Sequence, residues 1–137
     1  CNSVHRLGDA YLRNGPCLLH GDFFPGSWLR TSDGPRVIDP EFCFYGEPEF
    51  DLGVAIAHFA LAKCRQVSAR FIENYKAPLN RSRVIEYAAT EIMRRLIGVA
   101  QLPIPPSTGF RADMLNRARR AMANADSLAK QEPATWF

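Results

Sequence analysis

His20-Gly21-Asp22 and Asp39-Pro40-Glu41 are the two stretches whose residue types and spacing could do chemistry. Between them, Trp28-Leu29-Arg30-Thr31 and Arg36-Val37-Ile38-Asp39 flank Ser32-Asp33-Gly34-Pro35. That pattern predicts a β-hairpin with a short Asp-Gly turn. A hairpin brings its ends together, so Asp22, Asp39 and Glu41 are expected to face one small volume. Like charges at close range repel, and burying them unpaired is costly. A divalent cation removes that cost, and hard oxygen ligands with few histidines favour Mg²⁺ over zinc. A zinc hydrolase built on His20 and Asp22 lacks a third well-spaced ligand. A magnesium site beside a separate carboxylate is what phosphoryl transfer to a hydroxyl requires. Asp22 suits the hydroxyl role, and Asp39 and Glu41 suit the metal.

Arg94 and Arg95 are the next candidates. Neighbours on a helix point about 100° apart, and these two interrupt the apolar residues Ile92-Met93 and Leu96-Ile97. Arginines in such a setting need anions. They are read as reaching phosphate or substrate, with structural pairing to Glu41, Asp51 or a similar carboxylate as the other reading. His20 is expected to be structural, holding Asp39 or a loop carbonyl. His58 reads as a satisfied core residue and His5 as surface. Phe42, Phe44, Tyr45 and Phe50 read as packing under the metal loop.

The elements that must position these residues follow from periodicity and punctuation. Val4, Leu7, Ala10 and Tyr11 recur at helical spacing, and Asn14-Gly15-Pro16 stops that helix. Cys17-Leu18-Leu19 is a short buried strand or an extended approach to the loop at 20–27. A second long loop covers 39–50. Asp51 is a plausible N-cap for an apolar helix over 52–64. Further helices are expected over 69–75, from Asn80 or Ser82 to about Gln101, and over 109–130. Pro103, Pro105 and Pro106 separate the last two, and Trp136-Phe137 is a tail. One hairpin followed by helices predicts an α+β, mostly helical fold.

The chain's 137 residues suffice for a single domain with one core. A net charge of +3 does not call for nucleic acid. No apolar run reaches membrane-spanning length. Cysteines at 1, 17, 43 and 64 form no CxxC pair, with Cys17 and Cys43 read as buried thiols, which suits a reducing, cytoplasmic compartment. The sequence begins at Cys1 and runs at once into a helical pattern, as a cut through a larger protein would.

Taken in order, HGDFFPGS (20–27), DPEFCFYG (39–46) and FDLG (50–53) resemble the aminoglycoside phosphotransferase and choline kinase superfamily. Within it the resemblance is to 5-methylthioribose kinases, which also carry twin arginines like those of Met93-Arg94-Arg95-Leu96-Ile97-Gly98. The resemblance implies the C-terminal, catalytic lobe of a protein-kinase-like fold, over residues 1–137, without its ATP-gripping N-terminal lobe. It implies ATP and Mg²⁺ as cofactors, a small-molecule acceptor, most readily 5-methylthioribose in methionine salvage, and a homodimer. It assigns Asp22 as catalytic base, Asp39 and Glu41 to Mg²⁺ and nucleotide phosphates, and Arg94 and Arg95 to phosphate or substrate. Asp51 would brace the catalytic loop by accepting its N–H groups. Ser27 stands where most of the superfamily has a metal-binding Asn. Phe23, Phe24 and Pro25 depart from the usual HGDLHTGS, which leaves the acceptor open to another hydroxylated molecule of the aminoglycoside, choline or sugar type. The fragment alone is expected to turn over poorly, and a non-catalytic lobe is the third reading.

Overall fold

The computed structural model describes residues 2–102 and 108–137. Cys1 and the prolines at 103, 105 and 106 lie outside the described residues. Helix α1 (Asn2–Tyr11) is followed by strand β1 (Cys17–Leu19), the hairpin strands β2 (Trp28–Thr31) and β3 (Gly34–Val37), and strand β4 (Phe44–Gly46). Helices α2 (Glu49–Leu61), α3 (Arg65–Asn74), α4 (Arg81–Ile97), α5 (Thr108–Ala123) and α6 (Ala125–Leu128) complete the order. The architecture is mostly helical with two small antiparallel ladders, as the sequence pattern predicts.

The two ladders are nested. β1 pairs with β4, Leu19 opposite Phe44, and β2 pairs with β3, Trp28 opposite Val37. The loop 20–27 therefore leaves the end of one ladder and enters the start of the other, and the loop 38–43 returns along the same path. Backbone contacts tie the two loops: the Ile38 N–H donates to the Ser27 carbonyl at 2.9 Å. The hairpin turn is tighter than expected. Gly34, at φ 106°, already pairs with Thr31, so the turn shrinks to Ser32-Asp33, and Ile38 and Asp39 leave the ladder for the loop. The Thr31 hydroxyl closes this turn on the Gly34 carbonyl at 2.7 Å.

The helical core forms around α2 and α4. Nearly every side of α2 is covered, which explains its lack of a polar stripe, and Ala55, Ile56 and Ala57 are at most 1% exposed. The two helices approach closely at Gly53, where a Cβ would stand 2.6 Å from the Tyr87 Cβ. Asn80 caps α4, its side chain accepting the Arg83 N–H at 3.1 Å. α2 ends in a Schellman arrangement, with Cys64 N–H on the Phe59 carbonyl and Lys63 in the left-handed region.

Three sequence expectations change here. The helix predicted over 109–130 breaks at Asn124 into α5 and α6. Trp136 and Phe137 are no tail: both are buried, and the indole N–H donates to the Leu128 carbonyl at 3.0 Å. Cys43 is exposed, in the loop just before β4, and Cys17, at the outer end of β1, is only half-buried. No helix among the described residues is long and apolar enough to cross a membrane.

Candidate active site

The loop 20–27 is held from below by one carboxylate. Asp51 accepts the N–H of His20 at 2.7 Å and of Gly21 at 3.0 Å. It is not the N-cap of α2: the helix starts at Glu49, placing Asp51 in its first turn with its side chain turned to the loop. Burial pushes the Asp51 carboxyl up from its ordinary range, against the pull of the two N–H groups. Gly21 sits at φ 85°, and a Cβ there would stand 2.1 Å from the Phe42 carbonyl oxygen. Only glycine lets the two loops run this close.

His20 locks the same loop from the side. Its Nδ1 accepts the Asp22 N–H at 3.3 Å, so Nε2 carries the proton and donates to the Ile38 carbonyl at 2.8 Å. The loop carbonyl foreseen as its partner is thus Ile38, not the Asp39 side chain. Ser27 is 4% exposed, and its hydroxyl donates to the Asp22 carbonyl at 2.9 Å. It braces the loop through a short 3₁₀ turn (Pro25–Ser27) and does not line the cavity beside Asp22.

The three carboxylates do not share one volume. Among the described residues no group of three His, Cys, Asp or Glu side chains is close enough to hold a metal ion. Asp39 adopts φ 60°, ψ 55°, which turns the chain into the 3₁₀ turn Pro40–Phe42 and leaves Asp39 and Glu41 exposed. Neither side chain has a hydrogen bond or ion pair among the described residues. The hairpin brings the loops together but does not aim all three side chains inward.

Asp22 is neutralised by arginine. Arg95 Nη2 donates to Asp22 Oδ1 at 2.7 Å, and Arg94 Nη2 stands 3.8 Å from the same oxygen. Asp22 Oδ2 has no partner among the described residues and is free to accept a hydroxyl proton. The arginines' other partner is Glu91, which the sequence reading missed in favour of Glu41 and Asp51. Glu91 Oε2 accepts Arg94 Nε at 2.6 Å, and Oε1 accepts Arg95 Nε at 2.7 Å and Arg94 Nη2 at 2.9 Å. The signal was present: Glu91 stands three and four residues before the twin arginines, the spacing of helix ion pairs. His58 Nε2 lies 3.4 Å from Glu91 Oε1, and the His58 ring packs on Phe24 at 4.5 Å. The Arg95 guanidinium lies over the same ring, 5.3 Å from the Phe24 centroid.

Burial alone would push the Glu91 carboxyl up, but hydrogen bonds from His58, Arg94 and Arg95 outweigh it and lower the pKa from 4.5 to about 2. A carboxyl depressed on folding contributes stability that is complete above its unfolded pKa and is lost as pH falls through the folded value. The window here is pH 4.5 to about 2. The shift corresponds to roughly 3 kcal/mol. We expect the stability difference between the protein and its Glu91→Gln variant to narrow across that window in urea unfolding. A gap that stays constant from pH 5 to pH 2.5 would contradict the ion-pair assignment.

Asp22, Arg94, Arg95 and Glu91 form the polar wall of a cavity of about 420 Å³. Its apolar wall is aromatic: Tyr11 packs on Phe50 at 5.4 Å and Phe50 on Tyr87 at 5.3 Å, and Phe42 and Val54 join them. Burial, with Glu47 nearby, raises the Tyr87 phenol to about 12, so it stays protonated. Tyr45, read from sequence as packing, is exposed, whereas Phe44 and Phe50 do pack together at 5.2 Å.

Comparison with protein families matches residues 3–88 to the phosphotransferase enzyme family. The chain belongs to this family. That match takes in nearly all of α1, both ladders, Asp51 and the start of α4 as far as Ala88, and ends before Glu91 and the twin arginines. Among curated members, the chain is 44% identical over 59 residues to the methylthioribose kinase of Exiguobacterium sibiricum, covering 43% of this chain and 15% of that protein. It is 39% identical over 59 residues to methylthioribose kinase 1 of Oryza sativa subsp. japonica (43% of this chain, 14% of that protein). It is 46% identical over 56 residues to the methylthioribose kinase of Geobacillus thermodenitrificans (41% of this chain, 14% of that protein). The chain thus spans about one seventh of the length of the curated relatives it matches.

Proposed function

We propose that this chain is the catalytic lobe of an ATP-dependent kinase that phosphorylates a hydroxyl of 5-methylthioribose. The observation that carries the reading is the two-walled cavity. A sugar's hydroxyls suit Asp22 Oδ2 and the free donors of Arg94, and a methylthio group suits the wall of Tyr11, Phe50, Val54 and Tyr87. The similarity to methylthioribose kinases supports the same acceptor. Phe23 and Phe24, whose departure from the usual motif opened the acceptor question, do not line the cavity. Phe23 packs with Trp28 and Phe71, and Phe24 lies between His58 and Arg95.

In this reading the acceptor oxygen attacks the terminal phosphorus of ATP, the bond from phosphorus to the ADP oxygen breaks, and the hydroxyl proton passes to Asp22 Oδ2. Arg95 holds Asp22 Oδ1 and so fixes which oxygen faces the acceptor. Arg94, half-exposed and kept cationic by its hydrogen bond to Glu91, faces the acceptor or the transferring phosphate. Asp39 and Glu41 would hold Mg²⁺. Two exposed, unpaired carboxylates on one short loop fit an ion that takes one or two protein oxygens and completes its shell with phosphate and water. That ion, when bound, neutralises the nucleotide phosphates. A partner lobe that grips the nucleotide would cover the exposed apolar side chains of Leu18 and Tyr45, which face each other across the β1–β4 ladder.

The test is a substrate panel on the intact protein. We expect kcat/KM for methylthioribose to exceed that for ribose by about tenfold or more, the worth of filling an apolar subsite. Preferred turnover of ribose, choline or an aminoglycoside would overturn the acceptor assignment.

A further inference from the structure

The two arginines divide their donors in a fixed way, and Glu91 makes the division. Its two oxygens take the Nε of both arginines, Arg94 at 2.6 Å and Arg95 at 2.7 Å. A guanidinium is a planar fork, so fixing Nε and the stem fixes where the remaining N–H groups point. For Arg95 the direction is Asp22 Oδ1. For Arg94 it is the cavity, with Nη2 also held by Glu91 at 2.9 Å and Asp22 farther off at 3.8 Å. Without Glu91, both cations are free to close on Asp22, the remaining carboxylate beside them.

We infer that Glu91 is a positioning residue: it assigns Arg95 to the carboxylate of Asp22 and keeps Arg94 for the ligand. It rests on the reading of Asp22 as the proton acceptor. Glu91 is 5% exposed and also meets His58 Nε2 at 3.4 Å, so it has little freedom to follow the arginines. The charges of Asp22, Glu91, Arg94 and Arg95 cancel, so the acceptor meets a neutral set of groups whose orientation, not net charge, does the selecting. The Phe24 ring packs against both the His58 ring and the Arg95 guanidinium.

Glu91→Gln tests this in the intact protein. The amide keeps the shape, but its NH₂ faces an arginine N–H, so one fork must let go. The first readout needs no substrate: the ¹⁵N-linked Nε–H signals of Arg94 and Arg95, which should be sharp and slow to exchange in the protein, and at least one of which should broaden or vanish in Glu91→Gln. The second is kinetic. We expect kcat to fall about tenfold and KM for the hydroxyl substrate to rise several-fold, with KM for ATP nearly unchanged. In a double-mutant cycle with Arg95→Ala, the second substitution should add little to the first in kcat. Unchanged Nε–H signals, wild-type kcat, or losses that simply multiply would each overturn the inference. Should Glu91→Gln not fold, Arg95→Lys carries the test, because a lysine keeps the charge but cannot bridge both carboxylates; wild-type kcat there overturns it. A protein that rejects methylthioribose but shows the Nε–H change would sink the acceptor assignment and leave this one standing.

Discussion

Asp22→Asn should lower kcat of the intact protein by about 10²–10⁴-fold, the usual worth of a positioned general base, while KM for ATP stays within a few-fold. The amide matches the carboxylate in size but cannot take a proton at neutral pH. It also presents an NH₂ either where Oδ1 now receives Arg95 Nη2 at 2.7 Å or at the Oδ2 position proposed to take the acceptor's proton. The arginine is not stranded, because Glu91 still holds its Nε. Nor does the loop lose its frame: His20, Ser27 and Asp51 bind the backbone of residues 20–22 and not the Asp22 carboxylate. Fold stability should therefore change by about 1 kcal/mol or less, since the half-buried carboxylate loses one ion pair and a partner remains for the cation. Steady-state kinetics beside a urea titration separate the two effects. A variant that keeps more than a tenth of wild-type kcat while folding normally would remove Asp22 from the proton-accepting role.

The path from sequence to site was readable where the signals are local. The Asp-Gly turn between two short β-rich runs gave the hairpin, and the hairpin gave the juxtaposition of the loops at 20–27 and 38–43, which the Ile38–Ser27 and His20–Ile38 hydrogen bonds realise. Side-chain direction was not readable. Asp39 enters the left-handed region just before a proline, and no spacing rule announces that its carboxylate then faces solvent. β1 and β4 are three residues each, too short for a period, so their pairing appears only in three dimensions. Asp51 carries an N-cap's residue type, but α2 begins at Glu49, just after Pro48, and the carboxylate serves the loop of another element instead. Glu91 was legible in principle from helix spacing alone. It was overlooked because the arginines were read as seeking distant anions, whereas their Nε donors are satisfied within one turn.

Asp51→Ala is expected to damage both stability and turnover, and the combination distinguishes it from Asp22→Asn. The carboxylate accepts two consecutive backbone N–H groups, His20 at 2.7 Å and Gly21 at 3.0 Å. Truncation leaves both donors without a protein partner in a partly buried loop, at a cost of about 1–3 kcal/mol each. Water entering the space left by the side chain would recover part of that, so a loss of about 2–4 kcal/mol in urea unfolding is the expected result. Turnover should fall about 10²-fold or more, because Asp22 is carried by the same stretch of backbone and a displacement of about 1 Å at the reacting group has that effect. The Gly21 conformation makes displacement hard to avoid. At φ 85°, and packed so closely that a Cβ would stand 2.1 Å from the Phe42 carbonyl oxygen, this residue has no second arrangement that keeps the loops in register. Asp51→Asn should fall between the two variants, since one oxygen still accepts and the NH₂ opposes the other N–H. Amide hydrogen exchange localises the change: His20 and Gly21 should lose protection in Asp51→Ala while the amides of α4 keep theirs. Unaltered exchange at those two residues, or wild-type kcat in a stably folded Asp51→Ala, would show that the loop is held by His20 and Ser27 alone.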